Sequence, residues 1–275
     1  MARARTSTKG GNKRALCVGI NNYPGTGSDL AGCVNDARDW QRLLEQRGYR
    51  ATVLLDSRAT RANMVAALES LIGEAGPADA LVFTFSGHGS WLPDESGDEP
   101  DGRDEMLCPH DVGRGQYLMD DTLGEIFGKK PAGARLYFIS DSCHSGTVAK
   151  FMPSPLPRSV QRKLPRPRFL PPAAFVKNRS VLAAAQRVAG LARAVKQKYP
   201  ALLAAGCRDV EYSYDATFGG RPNGAFTYFA VRALAKNPST PTQWMRLTRA
   251  NLPTAVHPQS PSLYGSSAMK SGRMF

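Results

Sequence analysis

The chain has 275 residues, 42% hydrophobic and 21% charged, with a formal net charge of +13. That length buries the core of one globular domain, and the lack of any long apolar run excludes a membrane-spanning helix. The first 13 residues are polar and basic with no apolar stretch, so no secretory signal is expected. Five cysteines without compact spacing fit a reducing, cytoplasmic compartment better than a disulfide scaffold.

In chain order, periodicity predicts a strand over residues 14–20, a helix over 31–47, a strand over 51–55, a helix over 61–73 and an apolar strand over 80–85. Asp94, Glu95, Asp98, Glu99, Asp101, Asp104 and Glu105, interleaved with Gly97, Pro100 and Gly102, then read as an acidic loop. A strand is expected over 136–139. Beyond the insert described next come a strand over 200–205 and helices over 224–235 and 242–251. Alternating strands and helices predict an α/β fold with a mostly parallel sheet.

Residues 151–200 differ in composition, with 11 lysines and arginines, no acids and 8 prolines, so almost all of the net charge lies there. Residues 151–172 are too rich in proline for a regular helix, whereas Val181, Ala185, Val188, Ala192 and Val195 would share one face of a helix within 175–198. Three readings of this basic insert compete: a solvated linker, an electrostatic contact with nucleic acid or an anionic membrane, and a processing or autoinhibitory linker. The organisation expected is a basic tail (1–13), a larger catalytic region (14–150), the linker (151–199) and a smaller region (200–275) that completes one globular domain with 14–150.

Two short runs carry chemistry. Ser86-Gly87-His88-Gly89 and Asp141-Ser142-Cys143-His144-Ser145-Gly146 each follow an apolar strand, and in an open α/β sheet the strand C-termini are where loops meet and ligands bind. His88 and Cys143 there form a base and a thiol for nucleophilic catalysis. The N–H groups of Gly89 and Cys143 are the expected oxyanion hole, in which one donor is typically worth about 10² to 10³ in rate. His144 follows the nucleophile and should point away from it, His110 lies beyond the acidic loop, and His257 reads as surface or packing. Cys17, Cys108 and Cys207 read as core residues with no zinc spacing. Asp141, two residues before Cys143, is placed to hold a basic side chain, with arginine favoured where its fork is paired.

On these two blocks the chain resembles the metacaspases, caspase-like cysteine peptidases, in the compact form without a long prodomain. The resemblance runs from about Arg14 to the C-terminus and takes in Gln259-Ser260-Pro261. It implies a caspase-like three-layer sandwich, His88 and Cys143 as catalytic pair, and a pocket for arginine or lysine made of Cys33, Asp36, Ser86 and Asp141. It also implies calcium ligands at Asp104, Asp120 and Asp121, with a departure at Lys150, where an ammonium stands in place of a carboxylate. A monomer acting on protein or peptide substrates is expected. Self-cleavage in the basic linker is expected at one or more of Lys150, Arg158, Arg162, Lys163, Arg166, Arg168, Lys177 and Arg179, since a tethered arginine is a self-substrate by mass action. Two alternatives stay open: a catalytically silent binding module that uses the basic insert, and a related peptidase with asparagine or aspartate preference.

Overall fold

Residues 80–86 read ALVFTFS and are buried on both faces, as a central parallel strand requires. In the computed structural model, which describes residues 11–94, 102–143, 165–188, 199–208 and 211–274, this strand is β3 (Ala80–Ser86). It lies between β1 (Lys13–Gly19) and β7 (Arg135–Asp141), parallel to both. β2 (Arg50–Leu55) adds to β1, β9 (Leu202–Ala205) adds to β7, and β12 (Ser262–Tyr264) closes the far edge antiparallel. The order is β12-β9-β7-β3-β1-β2.

The pleat sends successive side chains to opposite faces, and each face meets helices. Leu16, Val18, Leu81, Phe83, Leu136 and Phe138 pack with Met64, Leu68 and Leu71 of α2 (Arg61–Gly73) and with Leu123, Ile126 and Phe127 of α3 (Asp120–Gly128). Ala15, Cys17, Val82, Tyr137 and Ile139 face α1 (Cys33–Gln46) on the other side. They share that side with α5 (Ala225–Leu234) and α6 (Pro241–Arg249), where Trp40 and Trp244 meet edge-on. Helix starts follow local chemistry: Thr60 and Thr240 each accept an N–H three residues on. A short α7 (Ser267–Ser271) follows β12.

Two small antiparallel sheets sit beside the strand ends. One is β4 (Gly89–Pro93), β5 (Arg103–Leu107) and β6 (Leu118–Met119); the other is β8 (Arg166–Pro167), β10 (Tyr214–Phe218) and β11 (Arg221–Gly224). The end of the acidic stretch is thus strand rather than loop, because Met106 and Leu107 are buried and pull Asp104 and Glu105 into pairing with β4. α3 was not expected from periodicity. The helix expected over 175–198 is present as α4 (Arg179–Val188), which starts only after Asn178 accepts the N–H of Ser180; Ala192 and Val195 lie outside the described residues.

The picture of an exposed basic tether is overturned within residues 168–176. Arg168, Phe169, Leu170, Phe175 and Val176 are buried. Burying each of the four apolar side chains is worth about 1.5–3 kcal/mol, which offsets much of the entropy lost when this segment is ordered. Among the described residues no helix is long and apolar enough to cross a membrane.

Candidate active site

β3 and β7 run side by side in register, with Ser86 opposite Asp141, so His88 and Cys143 each emerge two residues beyond a paired position at the same sheet edge. The loops they open converge on one atom. The carbonyl oxygen of Arg168 accepts the N–H of Gly89 at 3.0 Å and of Cys143 at 3.1 Å. Two N–H groups on one carbonyl oxygen are what a developing oxyanion needs, and they are the pair expected from the sequence.

The chain on either side of Arg168 is held as an extended ligand. Arg166 and Pro167 pair antiparallel with Asp215 and Tyr214, and the Arg168 N–H donates to the Ser213 carbonyl at 2.8 Å. On the other side the Leu170 N–H donates to the Gly89 carbonyl at 2.9 Å, and Ser90 Oγ donates to the Leu170 carbonyl at 2.6 Å.

The Arg168 guanidinium is wholly buried among carboxylates. Nη2 lies 2.7 Å from Asp36 and 3.0 Å from Asp215, and Nη1 lies 3.1 Å from Asp141 and 3.4 Å from Ser86 Oγ. Each carboxylate is held in turn. Asp36 accepts from Asn223 Nδ2 and the Gly224 N–H, Asp141 from Ser213 Oγ and from the N–H and hydroxyl of Thr227, and Asp215 from the N–H groups of Ala31 and Gly32. Burial pushes Asp36 up to about 6 against the pull of Arg168, and Asp141 adds to the rise. Gly224 permits the seat to exist, because a Cβ there would meet Asp141 Oδ2 at 2.2 Å and Arg168 Nη1 at 2.5 Å.

His88 is fixed from two sides. Its Nε2–H donates to the Ser28 carbonyl at 2.7 Å; a carbonyl only accepts, so Nδ1 carries the lone pair, and Nδ1 has no hydrogen-bond partner. Tyr23 accepts the His88 backbone N–H at 2.8 Å and sets its ring 4.7 Å from the imidazole. Burial is the main cause that lowers His88 to about 4, so the ring is neutral at pH 7. Cys143 Sγ accepts the Ser213 N–H at 2.7 Å. Gln259 buttresses the same turn: it accepts from the Tyr214 N–H and donates to the Gly206 carbonyl and to Ser213 Oγ.

The site thus brings together Cys143, His88, Gly89, Asp36, Ser86 and Asp141. Cys33 opens α1 and is fully buried, its thiol pushed well up by burial and pulled back by Arg168. Sequence reasoning missed Asp215, Asn223, Gly224, Ser213 and Ser28. Of the cleavage candidates, Arg168 occupies the acidic pocket, Arg166 donates to the Asp29 carbonyl at 2.9 Å, and Lys177 and Arg179 lie beyond the buried segment. Lys150, Arg158, Arg162 and Lys163, with His144, lie outside the described residues.

Asp120 is buried, and burial with the charges of Asp121 and Asp104 pushes its carboxyl up to about 7. Among the described residues no three acidic, histidine or cysteine side chains converge as a metal cage. A carboxyl raised in the fold binds protons that the unfolded chain has already released, so stability falls as pH rises from about 4 to about 7. Asp120→Asn is expected to remove that fall and to stabilise the protein at pH 8 by up to about 4 kcal/mol, with little effect at pH 4. Thermal unfolding across this range checks it.

Comparison with solved structures defines the class. Caspase-1 of Spodoptera frugiperda superposes with a TM-score of 0.59 over 93% of this chain and 87% of its own at 13% identity, which makes the fold caspase-like. A Geobacter sulfurreducens protein of known crystal structure superposes with a TM-score of 0.71 at 30% identity, covering 95% of this chain and 97% of its own. The family is narrower: the chain belongs to the metacaspases, since the family described as metacaspase, peptidase C14 domain matches residues 13–152. Metacaspase-1 of Mycosarcoma maydis is 32% identical over 94% of this chain and 72% of its own length. Metacaspase-1 of Cryptococcus neoformans is 34% identical over 96% of this chain, which spans 65% of that relative's length.

Proposed function

We propose that this chain is a cysteine endopeptidase that cleaves after arginine or lysine, and that its first substrate is its own Arg168–Phe169 bond. One observation carries the reading: Arg168 lies with its side chain among Asp36, Asp141 and Asp215 and its carbonyl oxygen on the N–H groups of Gly89 and Cys143. Of the expected cleavage points this supports Arg168 alone. Cys143 Sγ attacks the Arg168 carbonyl carbon, and negative charge develops on the oxygen held by the two N–H groups. His88, neutral at working pH, takes the thiol proton on Nδ1 and delivers it to the departing Phe169 nitrogen; water then releases the acyl group.

Three carboxylates set around a planar fork favour arginine over lysine, leave a neutral asparagine with unpaired charges beside it, and repel aspartate. A panel of fluorogenic amides with Arg, Lys, Asn or Asp before the bond tests the preference. Mass spectrometry of wild type and Cys143→Ala tests the cut: wild type is expected to yield fragments that end at Arg168 and start at Phe169, and Cys143→Ala only the intact chain. No turnover of any amide and an uncut wild type would favour the binding-module reading.

A divalent cation beside Asp104, Asp120 and Asp121 would relieve their repulsion. Calcium is therefore expected to raise the melting temperature of wild type at pH 8 and not that of Asp120→Asn; an unchanged wild type removes calcium from the proposal. All five cysteines are free, which supports a reducing compartment such as the cytoplasm.

A further inference from the structure

The segment that crosses the active site is anchored unequally on the two sides of the bond proposed to be cut. Ahead of it, Arg166 is exposed and Pro167 half-buried, and apart from the guanidinium they hold through the short pairing with Tyr214 and Asp215 and through Asp29. Behind it, Phe169 is 3% and Leu170 0% exposed. Phe169 packs with Trp91, Cys143, Cys207 and Tyr212, and Leu170, Phe175 and Val176 belong to the main core with Val112 and Leu118. The Leu170 N–H and carbonyl are bound by Gly89 and Ser90, neighbours of the catalytic histidine.

Breaking the Arg168–Phe169 bond cuts none of the contacts behind it. The new α-amine of Phe169 is left where the leaving group departed, one residue from the Leu170–Gly89 hydrogen bond and beside the Sγ that holds the acyl group. We infer that the cut chain is a peptide ligase toward its own new N-terminus: while Phe169 and Leu170 stay seated on Gly89 and Ser90, the Phe169 amine accepts the acyl group from Cys143 in competition with water. The inference rests on Cys143 as nucleophile and on the cut at Arg168.

The step balances without a co-reactant. The amine nitrogen attacks the thioester carbonyl, the C–Sγ bond breaks, an amide forms, and the amine proton returns through His88 to sulfur. A tethered amine is present at an effective concentration on the order of millimolar or more, and binding orients it. Only the neutral amine reacts. An α-amino group titrates near 7.7–8.0, so transfer gains on hydrolysis by roughly tens of fold between pH 6 and pH 8.5. Ordinary endopeptidase action then requires Phe169 and Leu170 to lift from the cleft and admit a substrate's own leaving side.

The test uses wild-type protein after self-cleavage, incubated with benzoyl-arginine ethyl ester, whose small leaving group needs no room behind the bond. The expected result is that the fragment starting at Phe169 gains one benzoyl-arginyl group, more at pH 8.5 than at pH 6. Ser90→Ala, which removes one anchor of Leu170, is expected to shift the product ratio toward free benzoyl-arginine. Ester hydrolysis with an unmodified Phe169 fragment at every pH overturns the ligase and leaves the peptidase intact. Ester turnover by a chain that stays uncut overturns it as well, and an ester left untouched by an uncut chain brings down the peptidase reading beneath it.

Discussion

Arg168→Ala is expected to leave the chain uncut between residues 168 and 169 and to raise kcat/KM of the uncut protein for a small arginyl ester by about ten- to a thousandfold. On the proposed function, the wild-type guanidinium, which pairs with three carboxylates, competes from inside the molecule at an effective concentration on the order of millimolar with free substrate for that one set. For a substrate that binds the empty pocket in the micromolar to tenth-millimolar range, removing that competitor releases a factor of this size. The variant also loses stability. Breaking a buried pair by deleting one partner typically costs about 3–5 kcal/mol, because the charges left behind are uncompensated. Agmatine, a free guanidinium, is therefore expected to raise the melting temperature of Arg168→Ala and to leave the wild type unchanged. Equal response in both proteins, or no gain in ester turnover, would remove Arg168 from the pocket.

The strands and helices that build the central sheet were legible because each is long and strongly patterned. β1, β3 and α2 fall where apolar runs and helical spacing put them, and β7 extends the run at 136–139 to Asp141. The placement of His88 and Cys143 at one edge was legible for the same reason, as two strands in parallel register deliver the residues beyond their ends together. Elements made of short, mixed sequence were not. β8 and β6 have two residues each and exist only because a neighbouring strand supplies their partners.

Asp215 escaped because its signal is distributed. It is an acid in an aromatic stretch, Tyr212-Ser213-Tyr214-Asp215, and its inward direction depends on β10 pairing with β8 and β11. The basic insert misled through composition: proline and arginine suggest a solvated tether, yet Phe169, Leu170, Phe175 and Val176 supply enough apolar surface to bury part of it. That apolar cluster directly after an arginine was the readable clue. Asn223 and Gly224 had none, because a small residue beneath a guanidinium has meaning only once the pocket is assembled.

Among single changes that leave Cys143 in place, Asp36→Asn is expected to combine a large loss with a distinctive pH signature. Asp36 touches the guanidinium at 2.7 Å at a fully buried position, and truncating one partner of such a pair typically costs about 2–5 kcal/mol, or roughly 30- to several-thousand-fold in kcat/KM for an arginyl amide. The amide is nearly isosteric with the carboxyl but sets a donor against a donor: Gly224 N–H lies 3.0 Å from both Asp36 oxygens, so one orientation sets –NH₂ against N–H and the other sets it against Arg168 as well. The pH dependence follows from the raised carboxyl. Protonation as pH falls through about 6 removes the negative charge that holds a basic side chain, whereas His88, lowered to about 4, stays neutral over that range. In wild type kcat/KM for arginyl amides should therefore decline below about pH 6. Asp36→Asn, already without that charge, should show a flat profile down to the region where His88 is protonated. An acid limb unchanged by the substitution would assign it to another group and leave Asp36 as a pocket residue that does not titrate in the working range.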